Sequence, residues 1–293
     1  MVKVLLLTIA AMIWGAGFIA TKWTLNDYGP YWSNGLRFIF AAIIIIPFLI
    51  FKFKKKRKLI FYWWPFLCSI ILFLSMQAQT IGLKYTSTAK SGFITALYAF
   101  FVPIILMFTN KYKYKFRFWL LLLISLSGIA LLCNLNFENF NNGDLWTLLC
   151  AFLFAWHIVI TDKITNNYNS VELNGYQCVF VALISLPISL IMEGSPNLAP
   201  LFRPETLLQP SSLAGFIILG LFSSNIAFSI QAYAQKSIPA HIVALIFLLE
   251  SIFAAIFGYL LLDEKLSSLA IAGCALVIFS LALVPKLGKA IKS

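Results

Sequence analysis

Residues 33–51 read SNGLRFIFAAIIIIPFLIF, and 140 residues later, at 173–191, the chain reads LNGYQCVFVALISLPISLI. Asn34, Gly35, Phe40, Ala42 and Pro47 recur as Asn174, Gly175, Phe180, Ala182 and Pro187. Apolar matches carry little weight in so apolar a chain. A shared Asn-Gly head and a shared proline carry more. Arg37 does not recur; Gln177 stands at its position. The pair points to a duplicated unit in which one copy places a cation inside an apolar run.

The composition sets the solvent. Of 293 residues 61% are hydrophobic and 11% charged, and the mean hydropathy is +0.91. A soluble domain carries roughly 25% charged residues, so this chain lacks the polar surface that water requires. Its apolar runs reach the ~20 residues that cross a bilayer as a helix. The first run, 4–24, has only Lys3 before it, carries Trp14 and Lys22, and shows no A-x-A-like cleavage site, so it reads as a retained span rather than a signal peptide. A net charge of +12 would suggest nucleic acid in a soluble protein. Here the basic residues lie in short loops and report orientation, so no nucleic-acid partner is expected. The five cysteines fall inside apolar spans without metal-ligand spacing and read as small packed hydrophobes.

The expected fold is all-α and integral to the membrane, with ten transmembrane helices near 4–24, 31–51, 62–83, 91–109, 117–134, 144–162, 173–192, 211–234, 241–262 and 268–285. With the N-terminus cytoplasmic, sixteen lysines and arginines fall in inner segments, and four fall in outer ones: Lys84, Lys90, Arg203 and Lys265. The positive-inside rule then places both termini in the cytoplasm, with the run 52–58 as an inner anchor and the loop 193–210 outside.

The duplication extends beyond the opening pair. LSMQAQ at 74–79 resembles FSIQAY at 228–233, matching Ser75, Gln77 and Ala78 to Ser229, Gln231 and Ala232, and Trp14 corresponds loosely to Trp156. Five spans per copy is an odd number, so the second copy must enter the membrane from the opposite side. Residues 1–140 and 141–293 are therefore expected to form two inverted five-helix repeats, an arrangement that recurs in secondary transporters.

The residues also resemble the EamA branch of the drug/metabolite transporter superfamily. The likeness rests on WGAGFIATK (14–22), LRFIFAA (36–42), YTSTAKSGFITALYAFFVP (85–103) and LLESIFAAIFGYLLLDEKLSSLAIAGCALVIFSL (248–281), in that order and spacing. Ser251 departs from the family pattern, where proline often follows the glutamate, and so argues against a kink there. The resemblance implies two EamA-like halves, a central cavity between them and alternating access. It leaves open amino acids, nucleotide-like metabolites, organic acids and drugs as cargo.

Glu250 lies about nine residues into its span, roughly 13–15 Å deep and near the midplane of a ~30 Å core. A carboxyl there costs about 2.5–3.5 kcal/mol on insertion scales and normally faces a bundle interior or cavity. It reads either as a neutral acid that glues helices or as a proton-coupling or substrate-binding group. Arg37, about 10 Å from the outer end of its span, reads as an outer-gate charge that snorkels, pairs with Asp27 or holds an anion; Lys22 reads as a second such charge. Gln77, Gln79, Asn225 and Gln231 are amides inside spans and must face other helices or a wet cavity. The repeat match favours Gln77 and Gln231 for the cavity, and Asn225 joins them. Trp14, Tyr98, Trp156 and His157 fall at depths that suit a cavity wall, whereas His241 reads as interfacial.

Two histidines, no acid cluster, no zinc spacing and no phosphate loop leave little basis for an enzyme, a metal or a cofactor. DEKL at 263–266 is a family-like loop, not a catalytic dyad. The expected function is secondary-active transport of a small organic metabolite by alternating access in a bacterial inner membrane. Amino acids or related compounds lead, export is slightly favoured over uptake, and the lipid bilayer and a small-molecule substrate are the partners. Monomer and homodimer stay open, as does proton coupling. The rivals are an intramembrane lipid-modifying enzyme, an importer of a nucleotide-like metabolite, and a scaffold. A scaffold gains nothing from a desolvated Glu250.

Overall fold

A computed structural model describes residues 2–52, 60–110, 112–133, 140–202, 211–262, 267–283 and 291–292. The chain forms helices α1 (Val2–Leu25), α2 (Pro30–Lys52), α3 (Ile60–Tyr85), α4 (Thr88–Ala96), α5 (Tyr98–Asn110), α6 (Phe116–Leu132), α7 (Asn142–Ile164) and α8 (Ser170–Glu193). They are followed by α9 (Ser212–Ile217), a π-helical segment (Ile218–Ala227), α10 (Phe228–Gln235), α11 (Ala240–Phe247), α12 (Leu249–Leu262) and α13 (Ser268–Leu283). A two-residue strand pair, Tyr112–Lys113 with Ile291–Lys292, is the β-structure among the described residues. Most of the basic run 52–58 and the DEKL loop lie outside the described residues.

Without water in hydrocarbon every backbone group must be satisfied within the chain, and helices do this locally. Among the described residues, eight helical runs are long and apolar enough to cross a membrane: α1, α2, α3, Thr88–Thr109, Asn142–Asn167, α8, Ser212–Gln235 and Ala240–Leu261. The apolar helices α6 and α13 are shorter, at 17 and 16 residues. That is about 24–26 Å at 1.5 Å per residue, less than a ~30 Å core. The helix starts are capped as the sequence allows. Asn141 closes a capping box with Asp144, Asn169 accepts from Val171 and Glu172, and Ser87 and Ser211 cap α4 and α9. At the other end of α8, Gly194 sits at φ 70°, the left-handed region glycine enters freely.

The packing is ordered in pairs. α3 lies along α7, and α1 lies along the run Ser212–Gln235. α1 also packs on α11 and α12, while α7 packs on α4 and α5. α2 pairs with α8, and α6 with α13. Small residues set these approaches. A Cβ on Gly35 would sit 2.8 Å from Ser189 Oγ, and one on Gly175 would sit 2.8 Å from Leu49 Cδ2. Gly128 and Gly273 face each other so closely that a side chain on either would strike the other's backbone carbonyl. Close backbone approach through small residues is how helices associate where lipid supplies no hydrophobic drive.

Two runs are interrupted midway. α4 gives way to α5 at Leu97, where Phe100 N–H turns back to the Leu97 carbonyl, 2.9 Å. α11 gives way to α12 at Leu248, where Ser251 N–H bonds the Leu248 carbonyl, 3.3 Å. Both are i→i+3 contacts that tighten one turn. The second tightening arises without a proline, Ser251 standing at the position after Glu250.

Candidate functional site

The two interruptions deliver Tyr98 and Glu250 to the middle of the bundle. Around them lies a narrow cavity of about 30 Å³, lined by Trp14, Gly17, Phe18, Thr21, Arg37, Met76, Gln79, Thr95, Phe154, Ser223, Phe228 and Glu250. α1, α2, α3, α4, α7, the π-helical segment, α10 and α12 all contribute. The free space is a cleft between side chains, so admitting a solute requires these helices to part.

Arg37 and Glu250 bring opposite charges to this one space, and both are buried, at 5% and 8% exposure. No ion pair joins them among the described residues, although each lies within electrostatic reach of the other. Arg37 is held from behind: its Nε donates to Ser224 Oγ at 2.9 Å and its Nη2 to Ser223 Oγ at 2.7 Å. Both serines lie in the π-helical segment. That segment has further support. Asn225 Nδ2 donates to Gly220 O five residues back, 3.1 Å, and to Ala41 O, 3.1 Å. Asn174 Nδ2 donates to the Ser224 and Asn225 carbonyls, both 2.9 Å, and to Ser229 Oγ, 3.1 Å. π-Helical turns are rare and frequent at functional sites; this one is ten residues long.

An aromatic layer borders the cleft. The Trp14 ring meets Phe247 at 4.6 Å, Phe228 at 4.9 Å and Phe154 at 5.7 Å between centroids. Phe154 in turn touches Tyr98 at 5.4 Å and His157 at 5.8 Å. Polar lining residues Thr21, Arg37, Gln79 and Thr95 sit in the halves of their helices that lead to the 26–29 and 86–87 connections. Phe228 and Phe247 sit in the halves that lead to 236–239. The cleft thus extends toward one end of the bundle and is stopped by rings toward the other. At the first end, Lys90 Nζ pairs with the buried Asp144 at 2.6 Å, Thr86 Oγ1 donates to Asp144 at 2.7 Å, and Lys22 Nζ donates to the Thr86 carbonyl at 3.3 Å.

Of the residues singled out from sequence, the cavity gathers Trp14, Glu250 and Arg37. Tyr98 is fully buried beside it. Its hydroxyl lies close enough to the Glu250 carboxyl to interact, but in the present arrangement it makes no hydrogen bond of standard geometry. Arg37 does not snorkel or reach Asp27, whose carboxylate instead accepts from Ser212 at 2.6 Å. Gln77 faces away: its Nε2 donates to the Pro30 carbonyl and its Oε1 accepts from Asn34, both 3.2 Å. Gln231 donates to Gln235, 3.0 Å, and Asn225 braces the π-helical segment. His157 bonds Gln177 Oε1 through Nε2 at 2.7 Å. Trp156 is half-buried at the edge of the core, Lys22 bonds the Thr86 carbonyl, and His241, at the start of α11, is packed among Tyr112, Tyr114 and Phe118. The sequence reading did not single out Phe154, Phe228, Thr21, Thr95 or Ser223. It had named Gln79 without favouring it over Gln77.

Comparison with known proteins follows the same lines. The pattern of the EamA-like transporter family matches residues 1–134 and 141–285. An uncharacterized transporter of Archaeoglobus fulgidus is 27% identical over 279 residues, covering 95% of this chain and 84% of the relative. The S-adenosylmethionine/S-adenosylhomocysteine transporter of Chlamydia muridarum is 24% identical over 282 residues, covering 89% of this chain and 85% of its own. The S-adenosylmethionine uptake transporter of Rickettsia bellii is 23% identical over 242 residues, covering 83% and 79%. A solved crystal structure superposes with a TM-score of 0.76 over 97% of this chain and 96% of that one, at 17% identity, a likeness of fold.

Proposed function

Because the chain belongs to the EamA-like transporter family, we propose that it is a secondary-active carrier of a zwitterionic metabolite of the amino-acid class. The observation that carries this reading is the placement of Arg37 and Glu250 on one cleft without an ion pair between them. A buried charge is tolerated when a partner compensates it. Here the compensating partner is a solute that brings both charges. Arg37, anchored by Ser223 and Ser224, takes a carboxylate. Glu250 takes an ammonium. Thr21, Gln79 and Thr95 complete the polar wall, and Trp14, Phe154 and Phe228 face the apolar part of the solute.

The transport cycle in this proposal is alternating access by two inverted five-helix repeats, 1–140 and 141–293, with α6 and α13 counted as the fifth and tenth spans. The packing supports the inversion. Exchanging each helix for its counterpart converts the α3–α7 contact into that of α1 with Ser212–Gln235, and leaves α2–α8 and α6–α13 in place. Gly35 against Ser189 becomes Gly175 against Leu49 at the same offset of 140 residues. On the sixteen-to-four distribution of basic residues, the end where Lys90 meets Asp144 is external and the aromatic layer is the inner barrier. The membrane is then a bacterial inner membrane, with both termini cytoplasmic and export slightly favoured.

A second reading is specifically supported. An S-adenosylmethionine-like solute has the same amino-acid head and adds a flat ring, which Trp14 and Phe154 suit; relatives carry that name. Counterflow in proteoliposomes tests both readings. An amino acid should exchange, its des-amino and des-carboxy analogues should each lose about 10-fold or more, and S-adenosylmethionine should compete if the second reading holds. Equal exchange of analogues lacking both charges overturns the zwitterion. An imposed pH gradient on wild type and Glu250→Gln then addresses coupling: proton-driven accumulation lost in the variant, with exchange partly retained, is the expected result.

A further inference from the structure

A second, larger hollow lies on the outside of the bundle and is separate from the cleft. It is a groove of about 660 Å³ between α2, the start of α8 and the run Ser212–Gln235, walled by Ile44, Phe48, Leu221, Ile226, Ile230 and Tyr233. Ile44, Phe48, Ile226 and Tyr233 are among the exposed large hydrophobics. From Leu221 to Lys236 the groove extends about 20 Å along the helix. That exceeds the ~15 Å depth of one leaflet of a ~30 Å hydrocarbon core.

Its two ends differ in chemistry. The deep end is apolar apart from Asn225 and Ser229, and both of these are engaged with the protein. The shallow end is cationic. Lys236 lines it. Lys52 lies over the Phe48 ring at 4.9 Å and Lys3 over the Tyr233 ring at 4.7 Å, so the two rings that wall the mouth each carry an ammonium. Lys236 Nζ donates to the Tyr168 carbonyl, 2.7 Å, and Lys3 Nζ to Ser237 Oγ, 2.7 Å; these bonds pin both cations at the mouth while leaving further N–H donors. The nearby carboxylate Glu172 accepts from Tyr176 at 3.2 Å, and Tyr176 packs on Tyr62, so that acid is directed to another face of α8.

The opposite end of the α2–α8 pair resolves the same situation internally. There the α2 N-terminus is covered by the chain's own carboxylate: Glu193 accepts from Tyr31 N at 3.1 Å and Trp32 N at 2.9 Å. At the groove end the repeat-related α8 N-terminus is capped by the neutral Asn169 side chain instead, and Lys236 is held beside it by the Tyr168 carbonyl. One end of the pair is neutralised within the chain and the other is left with net positive charge above an acyl-length apolar slot.

We propose that this groove is a specific site for an anionic phospholipid of the surrounding bilayer. The headgroup phosphate sits among Lys3, Lys52 and Lys236, and an acyl chain lies along Ile44, Phe48, Ile226 and Tyr233. Each lysine near an anionic headgroup contributes about 5-fold in affinity, so three lysines distinguish an anionic from a zwitterionic lipid strongly. Because the occupied groove spans α2 and the π-bearing run, the lipid bridges elements from both halves of the chain.

Native mass spectrometry of the full-length protein, extracted in mild detergent and titrated with phosphatidylglycerol or phosphatidylcholine, tests this. Wild type should retain one phosphatidylglycerol per chain, at least about 5-fold in preference to phosphatidylcholine. Ile226→Trp, which fills the slot at an exposed position, should remove that bound lipid. Lys236→Gln should keep binding but lower the preference by about 5-fold. Tyr233→Ala serves as a second groove variant if Ile226→Trp is poorly produced, and should also weaken retention. Equal retention of the two lipids by wild type, or phosphatidylglycerol retained unchanged by both groove variants, overturns the proposal. So does a wild-type dimer that Ile226→Trp dissociates, because the groove is then the seat of a second copy.

Discussion

Arg37 and Gln177 stand at matching positions of two similar stretches, 33–51 and 173–191, and their surroundings differ. Arg37 faces the central cleft and is held by two serines of the π-helical segment. Gln177 lies 2% exposed and bonds His157 outside the cleft. The scaffolding around them is shared: Asn34 and Asn174 each tie their helix to the next transmembrane run, the first through Gln77 and the second through Ser229. The packing residues of the two stretches thus agree while their polar content differs. The first stretch brings a charge to the cleft, and the second brings a neutral amide bonded to His157.

The sharpest way to break this comparison is to make the first copy like the second. Arg37→Gln leaves Ser223 and Ser224 without their cation and Glu250 without an opposing charge. Truncating one side of a buried charged contact costs about 2–5 kcal/mol, so exchange of the preferred zwitterion should fall about 100-fold. The measurement is initial counterflow rate at matched protein density. A variant within a few-fold of wild type removes Arg37 from the site and with it the claim that the two copies have diverged in function.

The next effect concerns stability at the end where the cleft leads. Asp144 is fully buried, pairs with Lys90 and closes the capping box at the start of α7. Asp144→Ala removes an acceptor for Lys90, Thr86 and the Asn141 backbone at once. Leaving such groups unpaired should cost about 2 kcal/mol, read as lowered thermal stability in detergent. The opposite end is tied by the Lys3–Ser237 bond, which is exposed. Ser237→Ala should therefore change stability by less than about 0.5 kcal/mol. Equal losses at the two ends would contradict the asymmetry between them.

How legible this was in the sequence follows from the same contrast. Glu250 could be found because a lone acid at midspan has few structural excuses, and Trp14 because the family-like motif and its depth agreed. The membrane class followed from composition. Gln77 was preferred to Gln79 because it recurs as Gln231, and that logic pointed the wrong way. Residues two apart on a helix point about 200° apart, so only one of the two glutamines can face the cleft. The one that recurs is the one whose role, joining helices, is common to both copies. Repetition reports packing, and the cleft is where the copies differ. The π-helical segment left no signal either. It shifts the phase of the helix past Ile218, so Ser223 and Phe228 reach the cleft from positions that a 3.6-residue period does not predict. The break at Leu248 arises without the proline that would have announced it.

The smallest expected effect falls on the second copy. His157 and Gln177 satisfy each other at 2.7 Å, while His157 Nδ1 has no partner among the described residues. Changing one member alone orphans the other, and a buried unsatisfied group costs about 1–3 kcal/mol. Changing both removes the demand together with the supply. The pair His157→Phe with Gln177→Leu keeps the ring beside Phe154 and Phe228 and leaves no buried donor behind. It should lie within about 1 kcal/mol of wild type in stability, because replacing both partners by apolar groups of similar shape is nearly neutral. Counterflow should stay within about 3-fold, since neither residue lines the cleft. Each single variant should be less stable than the double. If the double variant is stable yet inactive, His157 and Gln177 take part in the cycle for reasons other than packing, and the second stretch holds a functional polar pair of its own.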